Sequence, residues 1–148
     1  MKTSKDPRHQ ARRLALSIIY SQESGTGEGG LDSIAIENDL LNISKDNLEI
    51  DEYDKNLLTK IVEGVKIESD RLRTIIGENS VGWEIENIYK IDLSVLLISV
   101  WEILNTKTPV KVIIDEAVEL AKEFGEGESP KFINGILAGV SKKYGERI

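Results

Sequence analysis

Apolar residues recur along this chain at intervals of three and four, and no strand-like run is followed by a turn that would make a hairpin. The clearest pattern lies towards the C-terminus, in PVKVIIDEAVELAKEFGEGESPKFINGILAGV (109–140). Ile113, Ala117, Leu120, Ala121 and Phe124 fall on one helical face. Thr108 is placed to cap this helix, and Pro109 suits its first position, where a missing N–H costs nothing. Gly125 is the expected C′ residue, and Lys122 suits the last turn. Ser129 and Pro130 repeat the cap-and-proline start, and Ile133, Ile136, Leu137 and Val140 form the next apolar stripe. Gly135 and Gly139, four apart, predict a close approach by another helix, each at roughly 1 kcal/mol of helix propensity relative to Ala.

The same spacing predicts the earlier helices. Asp6-Pro7 reads as a cap and a helix start, with Ala11, Leu14, Ala15, Ile18 and Gln22 on one face to about Glu23. Ser24–Gly30 is glycine-rich, but no strand precedes it and no Gly-Lys-Ser/Thr follows, so it reads as a linker, not a phosphate loop. Leu31–Ile43 predicts a helix, and Ser44–Ile50 a polar connection. From Asp51 or Glu52 a long pattern runs through Tyr53, Leu57, Ile61 and Val65 to Leu72, Ile75 and Ile76, with Gly64 as the expected kink. Trp83 is expected to anchor a short helix with Ile85 and Ile88 inward. Asp92–Asn105 is hydrophobic nearly all round and predicts the buried central helix. Burying each of its large side chains contributes roughly 1.5–3 kcal/mol. The tail beyond Tyr144 is expected to fray.

Composition narrows the class. With 148 residues, 40% hydrophobic and 30% charged, the expectation is an all-α fold, one compact domain of about six or seven helices spanning 1–148. There is no cysteine and one histidine, His9, so neither a disulfide framework nor a zinc cluster is expected, and no cofactor. No apolar run reaches the ~18 residues of a membrane span, and the opening is too polar for a signal peptide. The expected compartment is the cytoplasm. The carboxylates Asp115, Glu119 and Glu123 share a helical face and read as solvated surface. With no nucleophilic cysteine and no nucleotide loop, catalysis is not expected.

Charge is distributed unevenly. The net charge is −7, yet residues 1–13 carry Lys2, Lys5, Arg8, Arg12 and Arg13 against Asp6 alone. A basic arm on an acidic body predicts one localised anion-binding site and an acidic remainder suited to a basic protein. Lys5, Arg8 and Arg12, three and four apart, line one side of the first helix and its entry.

These features together resemble a known family. IIDEAVELAKEFG, a short turn and SPKFINGILAGV are similar to the C-terminal signature of the NusB transcription antitermination factors. Lys131-Phe132 at the mouth of the second helix and Asn134-Gly135 inside it are not required by periodicity and do fall in the family's order. The first helix resembles the family's RRxARxxALxxLY through Arg8, Ala11, Arg12, Ala15 and Tyr20, but has His9 and Gln10 where basic residues are common. The central helix resembles D-R-x-I-L-R-x-A-x-x-E-L through Asp92, Leu96 and Glu102, but Leu93 and Leu97 replace both arginines; if the second of these pairs with a carboxylate of the last signature in the family, Glu116 has to find another partner or stay hydrated. The resemblance implies binding of single-stranded boxA RNA together with the ribosomal protein NusE, followed by joining the RNA polymerase elongation complex. It implies RNA contacts from Lys5, Arg8, Arg12, Ser129, Lys131 and Phe132, and partner contacts from Tyr20 and Asp92. Two alternatives stay open. One is a helical protein-binding module without RNA binding. The other is a relative of the RNA-binding domain of an RNA methyltransferase, whose catalytic domain the chain is expected to lack.

Overall fold

The computed structural model describes residues 6–25, 33–82 and 84–145. Within them lie seven α-helices and one 3-10 turn, and no strand. The contacts divide the chain into two units, Met1–Val62 and Glu63–Ile148.

In the first unit, α1 (Pro7–Glu23) starts as its sequence predicts. The Asp6 carboxylate accepts from the Arg8 backbone N–H at 3.0 Å, satisfying one of the donors a helix start leaves open. Helix α2 (Ser33–Leu48) packs on α1 and extends past Ile43, through part of the predicted polar connection. Its end explains why. Glu49 adopts a left-handed φ of 55°, its N–H reaches the Asp46 carbonyl at 3.2 Å, and the Ile50 N–H reaches that of Lys45 at 2.9 Å. This is a Schellman closure with buried Ile50 as its apolar clasp, but glutamate occupies the position glycine usually takes. Helix α3 (Lys55–Ile67) starts three residues after Glu52, because Asp54 caps it by accepting from the Leu57 N–H at 2.9 Å.

In the second unit, α3 gives way to α4 (Ser69–Asn79) at Glu68, not at Gly64. Gly64 has a different role: a Cβ there would overlap the Trp101 indole, so the missing side chain lets the ring lie against the backbone. The 3-10 turn Ile85–Asn87 stands where a short helix is expected, and Trp83 lies outside the described residues. Helix α5 (Lys90–Asn105) is buried continuously from Asp92 to Ile103 and is packed by α4, α6 and α7.

Helix α6 (Val110–Phe124) starts one residue later than its sequence suggests. Pro109 is its cap and contributes no side-chain hydrogen bond to the open N–H groups. Helix α7 (Ser129–Tyr144) has Ser129 as its first residue, with Glu128 at the cap position. Of the two small positions on α7, only Gly139 is approached closely: a Cβ there would lie 2.6 Å from Asn79 Oδ1 at the end of α4, while Gly135 faces open space.

Candidate functional site

The Gly125–Glu128 loop decides what the mouth of α7 presents. Gly125 ends α6 with φ −87°, so it does not supply a left-handed turn. Its missing Cβ is needed for proximity, since one would sit 2.7 Å from Ser129 Cβ and 2.8 Å from the Ala121 carbonyl oxygen. The left-handed residue of the loop is Gly127, φ 54°. Ser129 ties the loop back: its N–H donates to the Glu126 carbonyl at 3.0 Å, and its hydroxyl accepts from the Glu126 N–H at 3.2 Å.

This tether buries Ser129 and sets it against Asp92, in the first turn of α5. The Asp92 carboxyl is 4% exposed and takes a hydrogen bond from Ser129, while its Oδ1 is sealed from solvent and has no hydrogen-bond partner. Leaving a buried acceptor unpaired costs about 1–3 kcal/mol. Desolvation raises the Asp92 pKa above its ordinary 3.8, and the Ser129 hydrogen bond opposes that rise only in part.

Asp92, Ser129 and Phe132 line one cleft of about 430 Å³, joined by Ile88, Tyr89 and Glu126. Gly127 and Glu128 complete its loop side, and among the described residues no lysine, arginine or histidine lines it. Tyr89 is 75% exposed and Phe132 half-buried. Lys131 is exposed, its Nζ 3.7 Å from Glu128 Oε1 on the loop side of the cleft. Ion pairs this exposed hold little energy, so the ammonium can exchange partners readily. Three residues singled out in the sequence thus meet at one place, two of them expected at RNA and one at a protein. Tyr89 and Glu126 escaped the sequence reading. Their one visible signal was position: an aromatic just before the central helix, and acids in the loop before α7.

In the first unit, Arg8 is exposed on α1, whereas Arg12 is 4% exposed and engaged inside the protein. Arg12 therefore lies off any solvated face. His9 and Gln10 are buried as well, and Gln10 Oε1 accepts from the Arg13 guanidinium at 2.8 Å. Tyr20 is 38% exposed. Lys5 lies outside the described residues. Glu116 is buried and engaged, so it does not stay hydrated. Asp115, Glu119 and Glu123 are exposed on α6. Among the described residues no cluster of acids and histidines is arranged to hold a metal ion, and no helix is long and apolar enough to cross a membrane.

Comparison with known proteins agrees with this architecture. The solved structure of T. maritima NusB matches with a TM-score of 0.77 at 28% identity, over 98% of this chain and 95% of that one. A chain in a crystal structure described as a plectonemic RNA supercoil shares the fold, with a TM-score of 0.77 at 22% identity, over 95% of this chain and 97% of that one. The transcription antitermination protein NusB of Halothermothrix orenii is 42% identical over 139 residues, covering 88% of this chain and 93% of its own length. That of Finegoldia magna is 37% identical over 139 residues, covering 92% and 94%. The NusB family model matches residues 9–142, and the chain belongs to the NusB family.

Proposed function

We propose that this chain is a transcription antitermination factor that works in the cytoplasm by assembly, without catalysis. It binds the single-stranded boxA element of nascent ribosomal transcripts as a pair with NusE, and the pair joins the elongating RNA polymerase. The observation that carries this reading is family membership over nearly the whole chain, alongside relatives named as transcription antitermination proteins. The physical chemistry supports it. Single-stranded RNA is held by cations on its phosphates and by aromatic faces beside its bases. Arg8 and Lys131 are exposed cations, Phe132 is an accessible ring beside a helix start, and Lys5, Arg12 and Ser129 complete the proposed RNA set. Tyr20 and Asp92 form the proposed partner set. An acidic body suits a basic ribosomal protein.

Fluorescence anisotropy with a labelled boxA RNA tests the reading directly. The chain and NusE together are expected to bind boxA more tightly than either alone, and more tightly than a scrambled RNA. If NusE binds but boxA is not distinguished from the scrambled strand, the chain is a protein-binding module.

A further inference from the structure

We propose that a second cleft, walled by α1 and by the connection from α2 to α3, binds the base of a guanine nucleoside or nucleotide, with carboxylates on its N1–H and 2-amino edge and Arg13 on its O6 and N7 edge. The site is built entirely from the first unit, and the RNA and partner readings above do not depend on it.

The cleft has a volume of about 640 Å³ and is lined by Gln10 and Arg13 from α1 and by Leu48, Glu49, Asp51 and Glu52 from the end of α2 and the connection. The Asp54 N–H donates to the Pro7 carbonyl at 3.0 Å and ties the two walls together. Three observations point to a ligand. First, Gln10 reaches the cleft although it is only 3% exposed. Its Oε1 accepts from the Arg13 guanidinium at 2.8 Å, so a buried amide holds that guanidinium on the α1 wall. A guanidinium carries several N–H donors in one plane and can serve more than one acceptor at once. Second, Glu49 lines the cleft from a left-handed backbone, φ 55°. Glycine closes a helix there at lower cost, and other residues held in such a conformation cluster at ligand sites. Third, Asp51 and Glu52 add exposed carboxylates, so acceptors on one wall stand against donors on the other.

This division of charge selects the ligand. A simple cation meets Arg13, and a simple anion meets three carboxylates. A neutral group with donors along one edge and acceptors along the next meets neither penalty. Guanine is the common base built that way. Its N1–H and 2-amino group form an adjacent pair of donors that one carboxylate accepts, and its O6 and N7 form the adjacent pair of acceptors that an arginine fork matches. Adenine, cytosine and uracil each lack at least one of those pairs. Leu48 offers apolar surface to the face of the ring. The acidic rim disfavours a chain of phosphates, so the base belongs to a nucleoside or nucleotide with its sugar outward and not to an RNA strand. Helix geometry agrees, since Arg8, the exposed cation proposed for RNA, lies roughly 140–200° around α1 from Arg13 and Gln10.

The test titrates nucleosides against the full ¹⁵N-labelled chain, following the amide signals of Glu49 and Glu52. Guanosine is expected to give saturable shifts, and adenosine none. Inosine lacks the 2-amino donor and 7-deazaguanosine lacks the N7 acceptor. Each is expected to bind about tenfold more weakly than guanosine, or weaker still, through the loss of one charged hydrogen bond. Glu49→Gly removes a carboxylate and relieves the left-handed backbone. It is expected to melt at or above the parent, yet to bind guanosine about tenfold more weakly or worse. A variant that folds at least as well keeps the loss of binding apart from any loss of structure. Equal binding of guanosine, inosine and adenosine overturns the proposal, as does unchanged guanosine binding by Glu49→Gly. Saturable shifts from glycine, the simplest zwitterion, at the same concentrations overturn the choice of ligand. Displacement of guanosine by boxA RNA would make the cleft an RNA subsite and overturn the free nucleoside. BoxA binding that leaves guanosine in place supports a separate site.

Discussion

A buried carboxyl group in the first turn of the most apolar helix is costly, and its cost depends on pH. Because the folded pKa of Asp92 lies above the ordinary 3.8, the folded state binds the proton more tightly than the unfolded state does. The stability this contributes is complete below 3.8 and is lost as pH rises through the raised value. Asp92→Asn, which never ionises, is therefore expected to melt higher than the parent at neutral pH, with the difference shrinking towards acid. Melting curves from pH 3 to pH 8 check this, and a difference independent of pH would show that burial does not govern the group. Leu97 makes the converse case. It is fully buried on α5, and Glu116 is already engaged. Introducing arginine through Leu97→Arg is expected to cost several kcal/mol, since a buried charge without a partner is strongly destabilising. A rise in Tm would mean that a carboxylate waits there.

At the scale of elements, helix propensity and packing compete, and glycines show which one prevails. Gly135 and Gly64 are both helical, so Ala at either gains roughly 1 kcal/mol in propensity. Gly135 faces open space, so Gly135→Ala is expected to stabilise the protein by about that amount. Gly64 lies under the Trp101 indole, so Gly64→Ala is expected to destabilise by about 1–3 kcal/mol through overpacking. Denaturant melts of the two variants should move in opposite directions, and a shared direction would show that packing against Trp101 is loose. The end of α2 supplies a third comparison. Glutamate in a left-handed backbone costs roughly 1–2 kcal/mol, so Glu49→Gly is expected to raise stability by up to about 1 kcal/mol after glycine's own entropy is counted.

For the whole molecule, binding follows where the charges stand. Arg8 is exposed and Arg12 is buried, though both fall in the same basic arm. Arg8→Ala is expected to weaken boxA binding and reduce the log–log salt slope by about 0.7, the value for one phosphate contact on a single strand. Its Tm should stay near that of the parent. Arg12→Ala is expected to lower Tm as well, because it removes packing along with charge. Phe132→Ala is expected to lose on the order of 1–3 kcal/mol of RNA affinity with the slope unchanged, since a stacked ring releases no counterions. Anisotropy across a salt series checks all three, and an Arg8 variant indistinguishable from the parent at every salt concentration would leave the basic arm a solvated face.

Periodicity and caps alone determined the helical class, the buried central helix, and the start of α1 at Asp6-Pro7, because each is set by neighbours within a turn. Lys131-Phe132 and Asn134-Gly135 carried the family for the same reason, as an order of residues along one segment. Boundaries were less legible. Asp54 outcompeted Asp51 and Glu52 as a cap, and Glu49 closed α2 against its own backbone preference with buried Ile50 as the clasp. Only the tertiary structure decided which basic side chains are buried, what Gly64 accommodates, and that Asp92, Ser129 and Phe132 line one cleft. Burial and proximity arise between segments far apart in the chain, where local pattern carries no information about which faces meet. A charge at helical spacing reads the same whether its neighbour is water or another helix, and that neighbour decides whether arginine binds RNA or holds the core and whether aspartate is charged or neutral.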